Sequence, residues 1–99
     1  MLTKTYHVYI MTSRRDGPLY VGFTGNLPGR VWQHRQGTFE GFTKRYRLTR
    51  LVHFETFEDV NEAIAFEKRL KRWRRAWKVA LIERNNPTWR DLWEDIASP

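Results

Sequence analysis

From Tyr6 to Met11 the residues alternate, with Tyr6, Val8 and Ile10 on one parity and His7, Tyr9 and Met11 on the other, and the same period of two returns from Leu19 to Phe23. Arg14-Arg15-Asp16-Gly17-Pro18 lies between the two runs and carries turn chemistry, so the pattern predicts a β-hairpin. If the apolar sets Tyr6/Val8/Ile10 and Leu19/Val21/Phe23 share a face, the numbers of paired residues must sum to an odd value. The other face then holds His7, Tyr9 and Met11 with Tyr20 and Gly22, and both tyrosines point to one side. A slip of one residue would part them and bury polar groups.

Beyond the hairpin, Asn26 suits an N-cap, Pro28 a first helical turn and Gly37 a helix stop, which predicts a helix from Leu27 to Gln36 with Arg30 and His34 on one face. Arg50 to Phe57 reads as a third strand. Asp59 opens a helix whose apolar stripe is Val60, Ala63, Ile64, Phe66 and Leu70. A further helix is expected from Trp73 to Arg84, stopping at Asn85-Asn86-Pro87. Trp89, Leu92, Trp93 and Ile96, at i, i+3, i+4 and i+7, predict a short amphipathic helix packed on the body.

The 99 residues carry 40% hydrophobic content and a formal net charge of +7, which bounds the chain to one small domain spanning residues 1–99, without a linker or an internal repeat. Five Trp in so short a chain are expected to be structural anchors. Zero Cys removes disulfides, thiol nucleophiles and Cys-ligated metals and points to the cytoplasm. Lacking an apolar run of roughly 18 residues and a signal-peptide pattern, the sequence predicts no membrane insertion. A pI near 10.3 calls for a polyanionic partner. The charge is concentrated: Lys68, Arg69, Lys71, Arg72, Arg74, Arg75 and Lys78 fall in one acid-free stretch, and Lys44, Arg45, Arg47 and Arg50 surround Tyr46. Cations interleaved with aromatics suit nucleic acid, since ammonium and guanidinium groups neutralise phosphates while rings stack on bases. Such a stretch also fits a solvated helix face whose Trp side chains turn inward, and anionic lipid is disfavoured because no clean apolar face accompanies the charge.

Glu67 is the anomaly, because at 100° per residue it falls inside the arc of Val60, Ala63, Ile64, Phe66 and Leu70. A buried acid costs several kcal/mol unless paired, protonated or bound to metal. Two partners are open, a basic side chain such as Arg30 or a divalent cation, the ion pair being the commoner fate of a lone carboxylate. Mg²⁺ accepts one or two carboxylates and fills its remaining positions with water and phosphate. Tyr9 and Tyr20 alone would be packing residues, and His34 and Arg30 alone surface ones; a tyrosine becomes a base only if its neighbours help it lose its proton.

Taken in order, His7-Val8-Tyr9, then Tyr20-Val21-Gly22, Arg30, His34, Glu67 and Asn86 resemble the GIY-YIG endonuclease superfamily. The block GFTKRY from Gly41 to Tyr46 and the run from Glu67 through Trp89-Arg90-Asp91-Leu92 resemble its small single-domain, YhbQ-like branch. The resemblance covers nearly the whole chain. It implies an α/β (α+β) GIY-YIG fold, with a small central three-stranded antiparallel sheet flanked by helices, and metal-dependent hydrolysis of phosphodiesters. It makes Tyr9, Tyr20, Arg30 and His34 catalytic, Glu67 the ligand of one Mg²⁺ or Mn²⁺, Gly22 the point of close substrate approach and Asn86 the late asparagine, with Asn85 as its alternate. Phe23 stands where repair-type members carry Lys, which leaves His34 as the proton acceptor, and His7 replaces the first glycine. Lys44 and Arg45, with the stretch from Lys68 to Lys78, would grip the nucleic-acid backbone. The expected function is a structure-selective DNA endonuclease of repair or recombination, DNA being favoured over RNA and targeting left to a partner protein. The alternative is a nucleic-acid binding module with the same fold and little or no turnover.

Overall fold

A computed structural model describes residues 4–37 and 41–97; positions 1–3, 38–40 and 98–99 of the expected single-domain span lie outside the described residues. The chain runs β1 (Tyr6–Thr12), β2 (Tyr20–Thr24), α1 (Leu27–Gln36), α2 (Phe42–Arg45), β3 (Arg50–Phe57), α3 (Val60–Arg72), α4 (Arg75–Asn85) and α5 (Trp93–Ala97). The three strands form one antiparallel sheet in the order β2-β1-β3, giving an α+β fold.

The hairpin register follows the parity argument. Val8 pairs with Phe23, Tyr9 with Gly22, Ile10 with Val21 and Met11 with Tyr20. Val8, Ile10 and Val21 consequently face one core, completed by Ala63 and Leu70 of α3 and by Leu81 and Ile82 of α4. Tyr9 and Met11 face a second core with Leu27 and Val31 of α1, on which Leu92, Trp93 and Ile96 pack. Helices thus cover both faces of the sheet.

Local chemistry sets the ends of α1: the Asn26 side chain accepts from the Gly29 amide, Pro28 fills the first turn, and Gly37 takes φ 69° as the C-cap. Asp59 caps α3 by accepting from the Asn61 amide. On β3 the pairing shifts between Ile10 and Met11, so that Ile10 lies opposite His53 but Met11 opposite Leu51. This irregularity lets Leu51 and Phe54, three residues apart, reach the same core while Val52 turns to the other.

Three expectations need correction. The helix expected from Trp73 begins two residues later, because Trp73 sits at φ −62°, ψ 144° and caps α3. The C-terminal helix contracts to Trp93–Ala97. Trp89 precedes it with φ 58° and is fully buried in the α3/α4 core, across the sheet from Leu92, Trp93 and Ile96. Nor are all five tryptophans anchors, since Trp32 is 53% and Trp77 54% exposed. The short α2, within GFTKRY, was not anticipated from the pattern.

Candidate functional site

The site grows from the face of the hairpin that carries Tyr9. Gly22 lies opposite Tyr9, and a Cβ there would fall far inside contact distance of the Tyr9 ring end and hydroxyl. The missing side chain therefore makes room for the phenol. Tyr9 is fully buried, and its hydroxyl lies 3.0 Å from Nε2 of His34, itself only 5% exposed. Tyr20 closes the group, its ring centroid 6.3 Å from that of Tyr9 and 5.4 Å from that of His34.

Charges define the rest. Burial above all, then the neighbouring Tyr20, pushes the Tyr9 phenol well above its ordinary value of 10; the Arg30 guanidinium opposes this by charge and by a hydrogen bond, and Glu67 adds to the rise. Arg30 of α1 and Glu67 of α3 thus act on one phenol, from helices on opposite faces of the sheet. Burial first, and the Arg30 charge second, lowers the His34 imidazole from 6.5 to about 4, so it is neutral in the neutral pH range. A protonated phenol and a neutral imidazole are thus in hydrogen-bond contact, the direction of the bond set by the His34 tautomer, with the Arg30 guanidinium donating toward the phenol oxygen.

The Glu67 carboxylate is 14% exposed, and its Oε2 lies 2.6 Å from Nζ of Lys71, one helical turn on. Of the two partners considered for it, the structure gives the basic side chain, supplied not by Arg30 but by Lys71 of α3 itself. No group of three His, Cys, Asp or Glu able to hold a metal occurs among the described residues. One carboxylate in this setting does not make a protein cage of the kind zinc takes. A hard cation that keeps its waters and shares a substrate phosphate asks for no more than one or two carboxylates, and at Glu67 it would have to displace or share with the Lys71 ammonium.

Asn86 belongs to the framework. It is 5% exposed, its Nδ2 donates to the carbonyls of Val52 and Arg90 at 3.1 and 2.9 Å, and its Oδ1 accepts from the Arg90 amide. The side chain fastens the turn around Trp89 to the irregular part of β3, and its polar atoms are spent there. Asn85 is exposed at the last residue of α4.

The basic residues divide likewise. Arg75 donates to the Gly17 carbonyl at 2.8 Å and holds the hairpin turn, Lys78 donates to the Lys71 carbonyl, and Lys71 pairs with Glu67. Lys68, Arg69, Arg72 and Arg74 are exposed, as are Lys44 and Arg45. A cleft of ≈ 430 Å³ opens beside His34, lined also by Arg35, Lys44, Arg47 and Thr49. Sequence reasoning passed over this cleft because Arg35 and Thr49 belong to no basic run. Arg35 is fixed by a 2.7 Å ion pair to Asp91, whose other oxygen accepts from the amides of Leu51 and Trp93.

Tyr20, His34, Arg30 and, through its charge, Glu67 thus all bear on the buried Tyr9 phenol of this α+β domain. The family model described as the GIY-YIG catalytic domain matches residues 5–80, and the chain belongs to that family. Among its relatives is a UPF0213 protein of Lacticaseibacillus paracasei, 32% identical over 90 residues, which cover 91% of this chain and 100% of the relative. A UPF0213 protein of Halobacterium salinarum is 36% identical over 77 residues, covering 78% of this chain and 99% of its own. The solution NMR structure of a UPF0213 protein from Bacillus halodurans matches with a TM-score of 0.56 and 26% identity, over 88% of this chain and 92% of that one.

Two predictions concern this packing. Gly22→Ala should cost about 1–3 kcal/mol, because the Tyr9 ring it would strike is buried and bonded to His34 and cannot swing clear. A denaturant midpoint unchanged from the native chain would contradict this. The second concerns pH. His34 protonates near 6.5 when unfolded but only near 4 when folded, so its contribution to stability is complete above pH 6.5 and is lost as pH falls toward about 4. The loss should total about 3 kcal/mol, with His7 adding in the same direction because burial lowers it too. Melting curves across this range should flatten in His34→Phe; an undiminished slope in that variant would show that His34 is not the source.

Proposed function

We propose that the chain is a metal-dependent endonuclease that hydrolyses DNA phosphodiesters, selecting structure rather than sequence. The observation that carries this reading is the 3.0 Å contact between the Tyr9 hydroxyl and His34 Nε2, on a phenol that also feels Arg30 and Glu67.

The attacking water gives its proton to the Tyr9 oxygen as the phenol proton passes to Nε2 of His34. Such a relay never requires a free phenolate, but His34 must take up the proton against the burial and the Arg30 charge that lower it to about 4, an opposition that the negative charge of a bound phosphate would reduce. Arg30 binds the phosphate oxygens and opposes the charge that grows in the transition state. Tyr20 orients water or phosphate from across the ring cluster. Glu67 would hold the cation, Mg²⁺ or Mn²⁺, which supplies Lewis-acid polarisation of the phosphate. Lys44 and Arg47 in the cleft beside His34, and the exposed cations of α3, hold the flanking backbone, giving affinity without sequence information.

The exposed cations alone equally favour a module that binds nucleic acid without cutting it. A screen of branched, nicked, single-stranded and duplex DNA, with Mg²⁺ or Mn²⁺ against chelator, separates the two readings. The nuclease reading expects metal-dependent new termini on at least one structure. Salt-sensitive binding without cleavage on all of them would leave the binding module.

A further inference from the structure

The geometry points to the exposed face of Trp77 as a stacking platform for an unpaired DNA base, so that the strand engaged beside α4 is single. Trp77 is 54% exposed at the first turn of α4, although an indole gains most by being buried. It is held in place: Trp73, itself packed against the core, meets it at 6.2 Å with the rings at 83°, and the Arg74 guanidinium lies 5.1 Å over the ring. Half the indole nevertheless remains in water. A fixed ring with an exposed face costs little entropy when a base stacks on it, and the adjoining guanidinium adds cation–π attraction.

The surroundings select the occupant. Lys68, Arg69, Arg72 and Arg74 are exposed around this junction of α3 and α4, and their ammonium and guanidinium groups complement a phosphate backbone. A second copy of the chain seated here by twofold symmetry would bring these like charges together, which disfavours it. The bases of a duplex present only their edges in the grooves, whereas those of an unpaired strand offer their faces. Trp73 follows Glu67 by six residues, about 9 Å along the α3 axis, with the Trp77 ring next beyond it. A strand lying beside Glu67 would therefore reach the platform within a few nucleotides.

The inference extends the DNA-cleavage reading but is tested by binding alone. With the full chain and chelator present, affinities are measured for a short oligo(dT) and for a blunt hairpin duplex of equal phosphate number, in the native chain, Trp77→Ala and Trp77→Phe. The expected result is that Trp77→Ala weakens oligo(dT) binding by about fivefold to a hundredfold and duplex binding by less than about twofold. Trp77→Phe should restore most of the loss, and the salt slope should match the native one, since no charge is removed. Equal losses on both ligands, no loss on oligo(dT), or a concentration-dependent dimer that Trp77→Ala dissolves would each overturn the platform. Cleavage plays no part in these outcomes, so a failed nuclease reading and a failed platform are told apart.

Discussion

Glu67→Gln is expected to lower metal-dependent DNA cleavage by about a thousandfold or more while changing metal-free DNA affinity by no more than about twofold. A cation that polarises phosphate is worth several kcal/mol of transition-state stabilisation, and each 1.36 kcal/mol is tenfold in rate. Glutamine preserves the shape of the side chain at its 14% exposed position but cannot match a carboxylate in holding a hard cation. The same change breaks the pair with Lys71, whose side chain is 52% exposed, so the stability cost should be only a few tenths of a kcal/mol. The comparison discriminates because it separates chemistry from folding and binding. If cleavage persists near the native rate in Glu67→Gln, Glu67 is a helix ion pair and nothing more.

Tyr9→Phe and His34→Phe should each reduce cleavage by about 10²–10⁴-fold, the range for loss of a positioned proton-transfer group. If the two act as the proposed relay, the double variant should fall within about tenfold of the worse single variant instead of multiplying the losses. The singles differ in their side effects. Tyr9→Phe leaves His34 Nε2 without its hydroxyl partner in a buried place and should cost about 1–3 kcal/mol of stability. His34→Phe removes the pH-dependent loss of stability described above. Rates are therefore to be compared at a temperature where circular dichroism finds every variant folded. Multiplicative losses would mean that Tyr9 and His34 work separately.

Much of the architecture was legible in the chain, for reasons that can be named. The hairpin register followed from parity because both sheet faces are buried, so a slip would have carried Tyr9 and Val8 to the wrong cores. The limits of α1 followed from Asn26, Pro28 and Gly37, whose preferences are local. The irregular pairing on β3 was not legible, since it is settled by contacts across the sheet and by the Asn86 amide bound to the Val52 carbonyl. Trp89 misled because its spacing from Trp93 and Ile96 mimics a helix, while its positive φ and the bonds from Trp89 Nε1 to Glu83 and from Arg50 to its carbonyl turn it to the opposite core.

The candidate site divides in the same manner. Tyr9, Tyr20 and His34 are brought together by elements that periodicity predicted, and Arg30 rides on α1 one turn before His34. That Lys71 would meet Glu67 was available from their i, i+4 spacing, yet the density of positive charge around Lys71 gave every cation there the same apparent role. The opposite fates of Trp73 and Trp77 depend on where α4 begins, which no local signal marked: Arg74 makes no side-chain cap. The cleft beside His34 joins residues from α1, α2 and the approach to β3, and only folding assembles it.

The most direct measurement is single-turnover cleavage of end-labelled branched and single-stranded DNA by the full chain near neutral pH, with Mg²⁺, with Mn²⁺ and with chelator, beside Glu67→Gln and Tyr9→Phe. A single hydrolytic centre at Tyr9, His34, Arg30 and Glu67 predicts metal-dependent products from the native chain and their loss in both variants, with DNA affinity retained. The same trace of cleavage in all three proteins, indifferent to metal, would contradict it.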